Sequence, residues 1–115
     1  MPCFPVVTLH NLCCGITTVL PPVDFAAVAE VESEAVWSWA EERGVTRMSG
    51  APAYISPLIG ALETGQAPPR SLRALGVGGA RVPTELCSRA LAVLPGRDCM
   101  VLYGSTEAEP IASAS

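Results

Sequence analysis

The sequence predicts an α/β fold in which helices alternate with mostly parallel strands. Short apolar segments of four to six residues follow stretches in which apolar residues recur every three or four positions. A repeated order of helix and apolar strand is typical of a parallel sheet that helices cover. The 115 residues amount to about one domain, and half of them are apolar, which is enough for a core.

The first two elements are predicted within residues 3–23, a segment without charged side chains. Residues 6–14 are expected to form a buried helix and residues 17–20 a buried strand, which Pro21 and Pro22 close. Prolines, a glycine and polar residues divide the apolar run into pieces too short to span a bilayer. No basic residue precedes the run, as a signal peptide would require. The pattern therefore favours a buried helix and strand over a membrane segment.

The next helix is predicted to begin at Ser33, which can act as its N-cap, and to end before Gly44. Residues 45–49 follow as a strand. The helix has an apolar stripe that ends in a cation able to lie along it. The stripe consists of Val36, Trp39, Ala40 and Arg43.

A third helix is predicted to begin at Pro52, and residues 65–69 form the loop after it. Pro57 lies inside this helix, so we expect a kink or two short helical pieces. The predicted buried face consists of Tyr54, Ile55, Leu58, Ile59 and Leu62.

Residues 72–77 and 98–103 are predicted strands on either side of a fourth helix. This helix opens at Pro83 and ends at Pro95 and Gly96. Its predicted apolar face consists of Leu86, Cys87, Ala90, Leu91 and Leu94.

Charge and cysteine content exclude several classes of protein. The net charge is −4 and the basic residues are scattered, so the sequence gives no support to nucleic-acid binding. The cysteine count is odd and no pair has CxxC spacing, which disfavours a zinc site and a disulfide scaffold. Reduced, buried thiols in a cytoplasmic protein are the favoured interpretation. The five thiols are Cys3, Cys13, Cys14, Cys87 and Cys99.

Two predicted strands end in small or polar residues, at Gly78-Gly79-Ala80 and at residues 103–107. Ligands of parallel sheets gather at the carboxyl ends of strands, so neighbouring strands would place both loops at one edge. The glycine pair permits close approach to the backbone, although a plain turn explains it as well. In the second loop, N–H groups and hydroxyls suit phosphate oxygens, Tyr103 suits a planar ring and Glu107 suits Mg²⁺. A helix N-terminus capped by Ser105 explains that loop equally well.

The segment Tyr103-Gly104-Ser105-Thr106-Glu107 resembles the Tyr-Gly-x-Thr-Glu motif of the adenylate-forming superfamily. That superfamily includes acyl-CoA synthetases, luciferases and the adenylation domains of peptide synthetases. The segment 75–80, about 25 residues upstream, resembles the family's strand ending in Gly-Gly-Ala-Pro. Residues 44–52 and 2–21 resemble preceding segments in the same order. The Phe4-Pro5 start is most similar to fatty-acid ligases of the branch that includes β-lactone synthetases.

The resemblance implies an enzyme that joins a carboxylic, often fatty, acid to ATP, releases pyrophosphate and forms an acyl-adenylate. Most members then transfer the acyl group to a thiol such as that of coenzyme A. Carried over residue by residue, Thr106 would contact the α-phosphate and act in catalysis together with Glu107, which would bind Mg²⁺. The remaining residues would border the nucleotide or the acyl carboxylate. They are Gly79, Ala80 and Arg81 along the adenine, Tyr103 over the other face of its ring, and Gly104 and Ser105 beside the carboxylate.

The chain also departs from the family pattern. Arg81 stands where proline is usual, and Pro5 stands where many acyl-CoA synthetases have a histidine; His10 is not that histidine. The family's phosphate loop, its ribose-binding Asp and its C-terminal subdomain with the catalytic Lys have no counterpart in residues 1–115. We therefore expect a partial AMP-binding domain, part of a larger doubly wound sheet, that is inactive alone. The alternative is a complete, non-enzymatic α/β module that binds a nucleotide or a partner; a flavodoxin-type fold would need paired acidic residues that are missing.

Overall fold

The computed structural model describes residues 1–28, 30–105 and 108–115, and for residues 108–111 the backbone alone. Its helices are α1 (Pro5–Cys13), α2 (Ser33–Glu42), α3 (Pro52–Glu63) and α4 (Thr84–Val93). Its strands are β1 (Arg47–Gly50), β2 (Ala74–Gly78), β3 (Asp98–Ser105) and β4 (Ala108–Ala114). The four strands form one sheet in the order β1-β2-β3-β4, in which β1, β2 and β3 are parallel and β4 is antiparallel to β3. The predicted α/β class with a mostly parallel sheet is confirmed.

The register of the parallel strands defines two faces of the sheet. Gly50 is level with Val77 in β2, and Gly78 is level with Leu102 in β3. Because side chains alternate along a strand, one face carries Met48 and Leu75 together with Val77, all of which are buried in the core. In β1 and β2 the other face is mostly small, with Ser49, Ala74, Gly76 and Gly78 beside Arg47, and β3 adds Met100 and Leu102 to it.

Helix α3 fills the centre of the core. All five residues of its predicted face are buried, so that prediction is confirmed. The helix is continuous from Pro52 to Glu63, and a division into two pieces is therefore wrong. Pro57 removes the hydrogen bond to the carbonyl of Ala53, but Ala53 is exposed in the first turn, where water can satisfy that carbonyl.

Helix α2 buries a face that differs from the predicted stripe. Trp37 is buried beside Val36 and Ala40, and its indole N–H donates to the carbonyl of Leu58, 3.0 Å away. Trp39 is only half-buried, and the Arg43 guanidinium lies 3.4 Å from the centre of its ring. Ser33 is the first helical residue, and the described side chains make no cap hydrogen bond to α2, so the predicted N-cap is wrong. Because Ser33 already has helical geometry, its hydroxyl does not occupy the capping position.

The predicted limits of the α2 and α4 segments are otherwise close to those observed. Gly44 has a φ of +60°, as expected of the residue that ends a helix. In α4 and the residue after it, Leu86, Ala90 and Leu94 are buried as predicted. Leu91 is 57% exposed, so the predicted apolar face extends beyond the side of α4 that packs on α3 and β3.

The N-terminal segment shows the largest differences from the prediction. Helix α1 is present, but none of its residues, all of which are described, is buried. Residues 17–20 lie outside every strand of the described chain, so the strand predicted there is wrong. The free edge of β1 is bonded by the first residues of the chain. The Cys3 N–H donates to the Ser49 carbonyl at 2.8 Å, and the Ser49 N–H donates to the Met1 carbonyl at 3.2 Å.

The C-terminal strand β4 was not predicted. It returns along β3, with Tyr103 level with Ala112 and Ser105 level with Ala108. Ser105 therefore belongs to a strand, and the alternative in which it caps a helix is wrong. The Ala- and Ser-rich tail has little strand propensity of its own, so the open edge of β3 determines its conformation.

All five cysteines, which lie in the described chain, are free, but they are not uniformly buried. Cys3 is buried, whereas Cys13 and Cys14 are exposed because α1 is not covered. The prediction of buried thiols is therefore wrong for these two. Within the described residues, no helix is both long and apolar enough to cross a membrane.

Candidate functional site

Gly78 and Gly79, at the end of β2, lie so close to other parts of the chain that neither position has room for a side chain. A β-carbon at Gly78 would lie 2.5 Å from the carbonyl oxygen of Leu102. At Gly79, φ is +78° and a β-carbon would lie 2.9 Å from Cε1 of Phe4. The glycine pair is therefore more than a plain turn, because it lets β3 and the start of α1 approach the same stretch of backbone.

The end of β3 lies directly beside this glycine pair. Gly78 is level with Leu102, so Tyr103 and Gly104 follow at the edge where Gly79 leaves the sheet. The expectation that the two loops share one edge of the sheet therefore agrees with the structure. The Tyr103 side chain is 64% exposed, which leaves its ring accessible to a flat ligand at this edge.

A cavity of about 490 Å³ opens between this edge and α1. Its volume falls within the range of small-molecule sites. From the sheet it is lined by Gly78, Gly79, Leu102, Tyr103 and Gly104, and from the α1 side by Phe4, Val6, Val7 and His10.

The cavity brings together some of the predicted site residues and not others. Gly79, Tyr103 and Gly104 line it. Ala80 and Arg81 are exposed beyond the glycine pair, and Ser105 is half-buried at the end of β3; none of the three belongs to the lining. Thr106 and Glu107, predicted to contact the α-phosphate and Mg²⁺, lie outside the described residues.

Phe4 and Leu102 are the lining residues that the sequence did not reveal as part of a site. Phe4 directly precedes α1, where its carbonyl accepts hydrogen bonds from the N–H groups of Val7 and Thr8 at 3.1 and 3.2 Å. These bonds anchor the residue whose ring lies against Gly79. The signal that could have found them is the glycine pair, because a backbone without side chains also admits bulky groups from elsewhere in the chain.

A second cavity, of about 550 Å³, lies under the same helix along the small-residue face of the sheet. It shares Val7 and Leu102 with the first cavity, and Gly76 and Met100 form part of its floor. A β-carbon at Gly76 would lie 3.1 Å from Cδ1 of Leu102, so glycine leaves room for the Leu102 side chain at the bottom of this cavity. The two cavities together form a largely apolar trough between α1 and the sheet.

The electrostatics of the described part of the site are mild. The titratable side chains in the first cavity are His10 and Tyr103. Within the described chain, no group of three or more His, Cys, Asp or Glu side chains is arranged to hold a metal ion. Burial lowers the pKa of the Met1 ammonium, which lines the second cavity, to about 6. It raises the pKa of Cys3, Cys99 and Tyr54, which lie outside both linings. The described residues of the first cavity therefore offer shape and apolar contact, whereas Arg43, Arg47 and the Met1 ammonium bring positive charge to the second cavity.

Comparison with known proteins places this arrangement in a family. The model of a family described as AMP-binding enzyme matches residues 3–115. Two curated relatives are olefin β-lactone synthetases: that of Xanthomonas campestris pv. campestris is 30% identical over 98% of this chain, and that of Stenotrophomonas maltophilia 28% identical over 97%. The chain spans 20% of the length of each relative.

A solved structure agrees with the sequence comparison. The nonribosomal peptide synthetase FmoA3 in its AMPPNP-bound form superimposes with a TM-score of 0.67 and 29% identity. The match covers 83% of this chain and 10% of that protein. Because the family model extends over nearly the whole chain and the fold agrees, the chain belongs to the AMP-binding enzyme family.

Proposed function

We propose that this chain forms part of the nucleotide and acid site of an adenylate-forming enzyme of the carboxylate–CoA ligase type. Such an enzyme joins a carboxylic acid to ATP and releases pyrophosphate. The observation that carries the proposal is the cavity in which Gly79, Tyr103 and Gly104 meet at the carboxyl ends of β2 and β3. The family supports the reaction type, and the 20% coverage of the relatives supports a partial domain whose phosphate loop and C-terminal subdomain come from other segments.

The nucleotide would bind at the edge of the sheet. The backbone of Gly79, Ala80 and Arg81 would border the adenine, and Tyr103 would cover the ring from the side of β3. Gly79 is exposed and lines the cavity, which supports this role. Arg81 is exposed, so a cation in the family's proline position leaves the cavity itself clear.

The reacting groups would lie at the end of β3. Gly104 and Ser105 would border the carboxylate, Thr106 would contact the α-phosphate and Glu107 would hold Mg²⁺. A hydroxyl donor and a bound divalent cation stabilise the negative charge that develops during adenylate formation. The residue types suit the group, since carboxylate oxygen is a ligand that Mg²⁺ prefers.

The acid would carry an apolar chain. The trough formed by the two cavities is lined mainly by apolar side chains and glycines, and it leads away from Gly104 beneath α1. This supports a fatty-acid type of substrate, with coenzyme A, another thiol or an internal hydroxyl as acceptor. The five free cysteines suit a reducing compartment such as the cytoplasm.

Nucleotide binding can be tested on the 115-residue chain by NMR titration with AMP. We expect chemical-shift changes at the amides of residues 78–81 and 103–105, and their loss in a Gly79→Ala variant. Gly96→Ala is the matched control, because Gly96 has a similar φ of +72°, lies outside the cavity lining, and would place a new β-carbon with nothing within 4 Å of it. Shifts confined to other residues, or equal binding by the Gly79→Ala variant, would contradict the proposed site.

Catalysis is tested separately by acid-dependent exchange of pyrophosphate into ATP. We expect the 115-residue chain to show no exchange above a control without protein, because preorganised positioning supplies most of the rate in such a site. Exchange above that control would contradict the expected inactivity of the chain alone. AMP binding without exchange is also the result that a non-enzymatic nucleotide-binding module would give. Acid-dependent exchange by a longer protein that contains residues 1–115, and its loss on Gly79→Ala, would separate the two functions.

A further inference from the structure

We propose that His10 and Cys14 form a two-residue binding site for Zn²⁺ or a similar soft divalent cation at the exposed end of α1. The Nε2 atom of His10 lies 3.7 Å from the Sγ atom of Cys14. Both side chains are exposed, so a hydrated ion can reach them. This site shares His10 with the lining of the first cavity but uses none of the residues proposed to contact the nucleotide or the reacting groups.

The distance between the two atoms fits a shared metal ion. Zinc bonds to imidazole nitrogen and thiolate sulfur are about 2.0–2.1 Å and 2.3 Å long, which in a tetrahedral site separates the two ligands by about 3.6 Å. The observed 3.7 Å therefore requires almost no rearrangement. Imidazole and thiolate are ligands that zinc and other soft cations prefer, whereas Mg²⁺ prefers oxygen.

The backbone holds the two ligands in place. Their spacing of four residues puts both side chains on one side of the helix, as in helical zinc motifs with two histidines. The Cys14 N–H donates to the carbonyl of His10 at 3.0 Å and also approaches that of Asn11 at 3.2 Å. These bonds close the last turn of α1 and fix the backbone that carries the two ligands.

Two protein ligands leave the remaining positions to water. Within the described chain, no third His, Cys, Asp or Glu joins the pair. The affinity is therefore expected to be lower than that of a structural zinc site with four protein ligands. Binding requires the Nε2 atom to be free of its proton and transfers the Cys14 thiol proton to solvent, so affinity falls as the pH is lowered.

Cobalt titration of the 115-residue chain, kept reduced, tests the site without any nucleotide. We expect a thiolate-to-cobalt charge-transfer band that Zn²⁺ abolishes by displacing the cobalt. The band should be absent in Cys14→Ser, and the affinity should fall about tenfold or more in His10→Gln. Cys13→Ser is the matched control, since Cys13 is the neighbouring exposed thiol, and it should keep the band. A band that persists in Cys14→Ser, for example from Cys87 and Cys99, would overturn the proposal.

A second measurement remains informative if a variant is poorly folded. Alkylation of the unmodified chain, followed residue by residue by mass spectrometry, should be slowed by Zn²⁺ at Cys14 and not at Cys13. Equal rates at Cys14 with and without Zn²⁺ would overturn the proposal. Equal protection of Cys13 and Cys14 would also overturn it, because it would show nonspecific thiol binding.

Discussion

The ring of Phe4 occupies the space that a side chain at Gly79 would need. A β-carbon built on Gly79 would lie 2.9 Å from Cε1 and 3.1 Å from Cζ of that ring. Phe4 directly precedes α1, and Gly79 follows β2, so this contact joins the N-terminal segment to the end of the sheet. It also forms one wall of the cavity proposed to bind the nucleotide and the acid.

We expect Gly79→Ala to destabilise the protein more than Gly96→Ala. Both glycines have positive φ, at +78° and +72°, so each substitution carries about 1–2 kcal/mol of backbone strain. At Gly96 the new methyl group meets nothing within 4 Å, whereas at Gly79 it overlaps Phe4, which adds about 1–3 kcal/mol. Urea unfolding measures the difference. Adding Phe4→Ala should remove much of the additional loss, and equal effects of the two glycine substitutions would contradict this explanation.

We expect Tyr54→Phe to leave stability unchanged or raise it by about 1 kcal/mol. Tyr54 is fully buried, and its hydroxyl has no hydrogen-bond partner among the described residues. Removing an unpartnered buried hydroxyl removes its desolvation penalty, while Tyr54→Ala should cost about 3–5 kcal/mol because it leaves a cavity. Thermal and urea unfolding measure both variants. A clear loss of stability in Tyr54→Phe would show that the hydroxyl is hydrogen-bonded.

The same residue predicts a pH dependence at the alkaline end. Burial raises the pKa of Tyr54, with a smaller contribution from nearby Cys3. The unfolded chain releases this proton at about pH 10 and the folded chain only at higher pH, so ionisation favours unfolding as the pH rises above about 10. Unfolding free energies measured between pH 8 and 11 should therefore fall more steeply for the unsubstituted protein than for Tyr54→Phe. Parallel curves would contradict the raised pKa.

We expect the carboxyl of Glu63 to titrate below its ordinary range. Arg89 donates two hydrogen bonds to it, at 2.8 and 2.7 Å, and thereby lowers the pKa of Glu63. The ion pair therefore contributes to the free energy of unfolding at pH values above the ordinary pKa of Glu63. This contribution is lost as the pH falls through the lowered pKa of Glu63 in the folded protein. Carbon NMR titration should show a return towards about 4.3 in Arg89→Gln. Arg43→Gln is the control, because Arg43 approaches Glu42 at 3.9 Å and should not affect Glu63.

We expect Cys3 and Cys99 to react with iodoacetamide more slowly than Cys13 in the native protein. Burial raises the pKa of both thiols, and for Cys99 the neighbouring Cys87 and Asp98 add to the effect. The thiolate is the nucleophile, so fewer reactive groups are present near neutral pH and the rates should differ by about tenfold or more. Mass spectrometry of a reaction time course in the presence of a chelator measures this. In guanidinium chloride all the rates should converge, and native rates for Cys3 equal to those for Cys13 would contradict the burial.

Local sequence patterns correctly predicted the elements whose apolar residues recur at regular helical or strand spacing. The five apolar residues of α3 recur at helical spacing, and all five are buried because one side of a helix faces the sheet. The same reasoning placed Trp39 in the apolar stripe of α2, but the residue that is buried is Trp37. The hydrogen bond from Trp37 to the carbonyl of Leu58 decides in favour of Trp37, and it depends on a residue 21 positions away.

The sequence by itself determined the α/β class, the mostly parallel orientation of the strands and the glycine pair after β2. These features follow from composition and from periodicity within single elements. Only the tertiary structure decided that residues 1–3 bond to the edge of β1, that the C-terminal tail returns along β3, and that Phe4 forms a wall of the cavity. The reason is physical, because each of these choices compares hydrogen bonds or contacts with a distant part of the chain, and no local pattern encodes the partner.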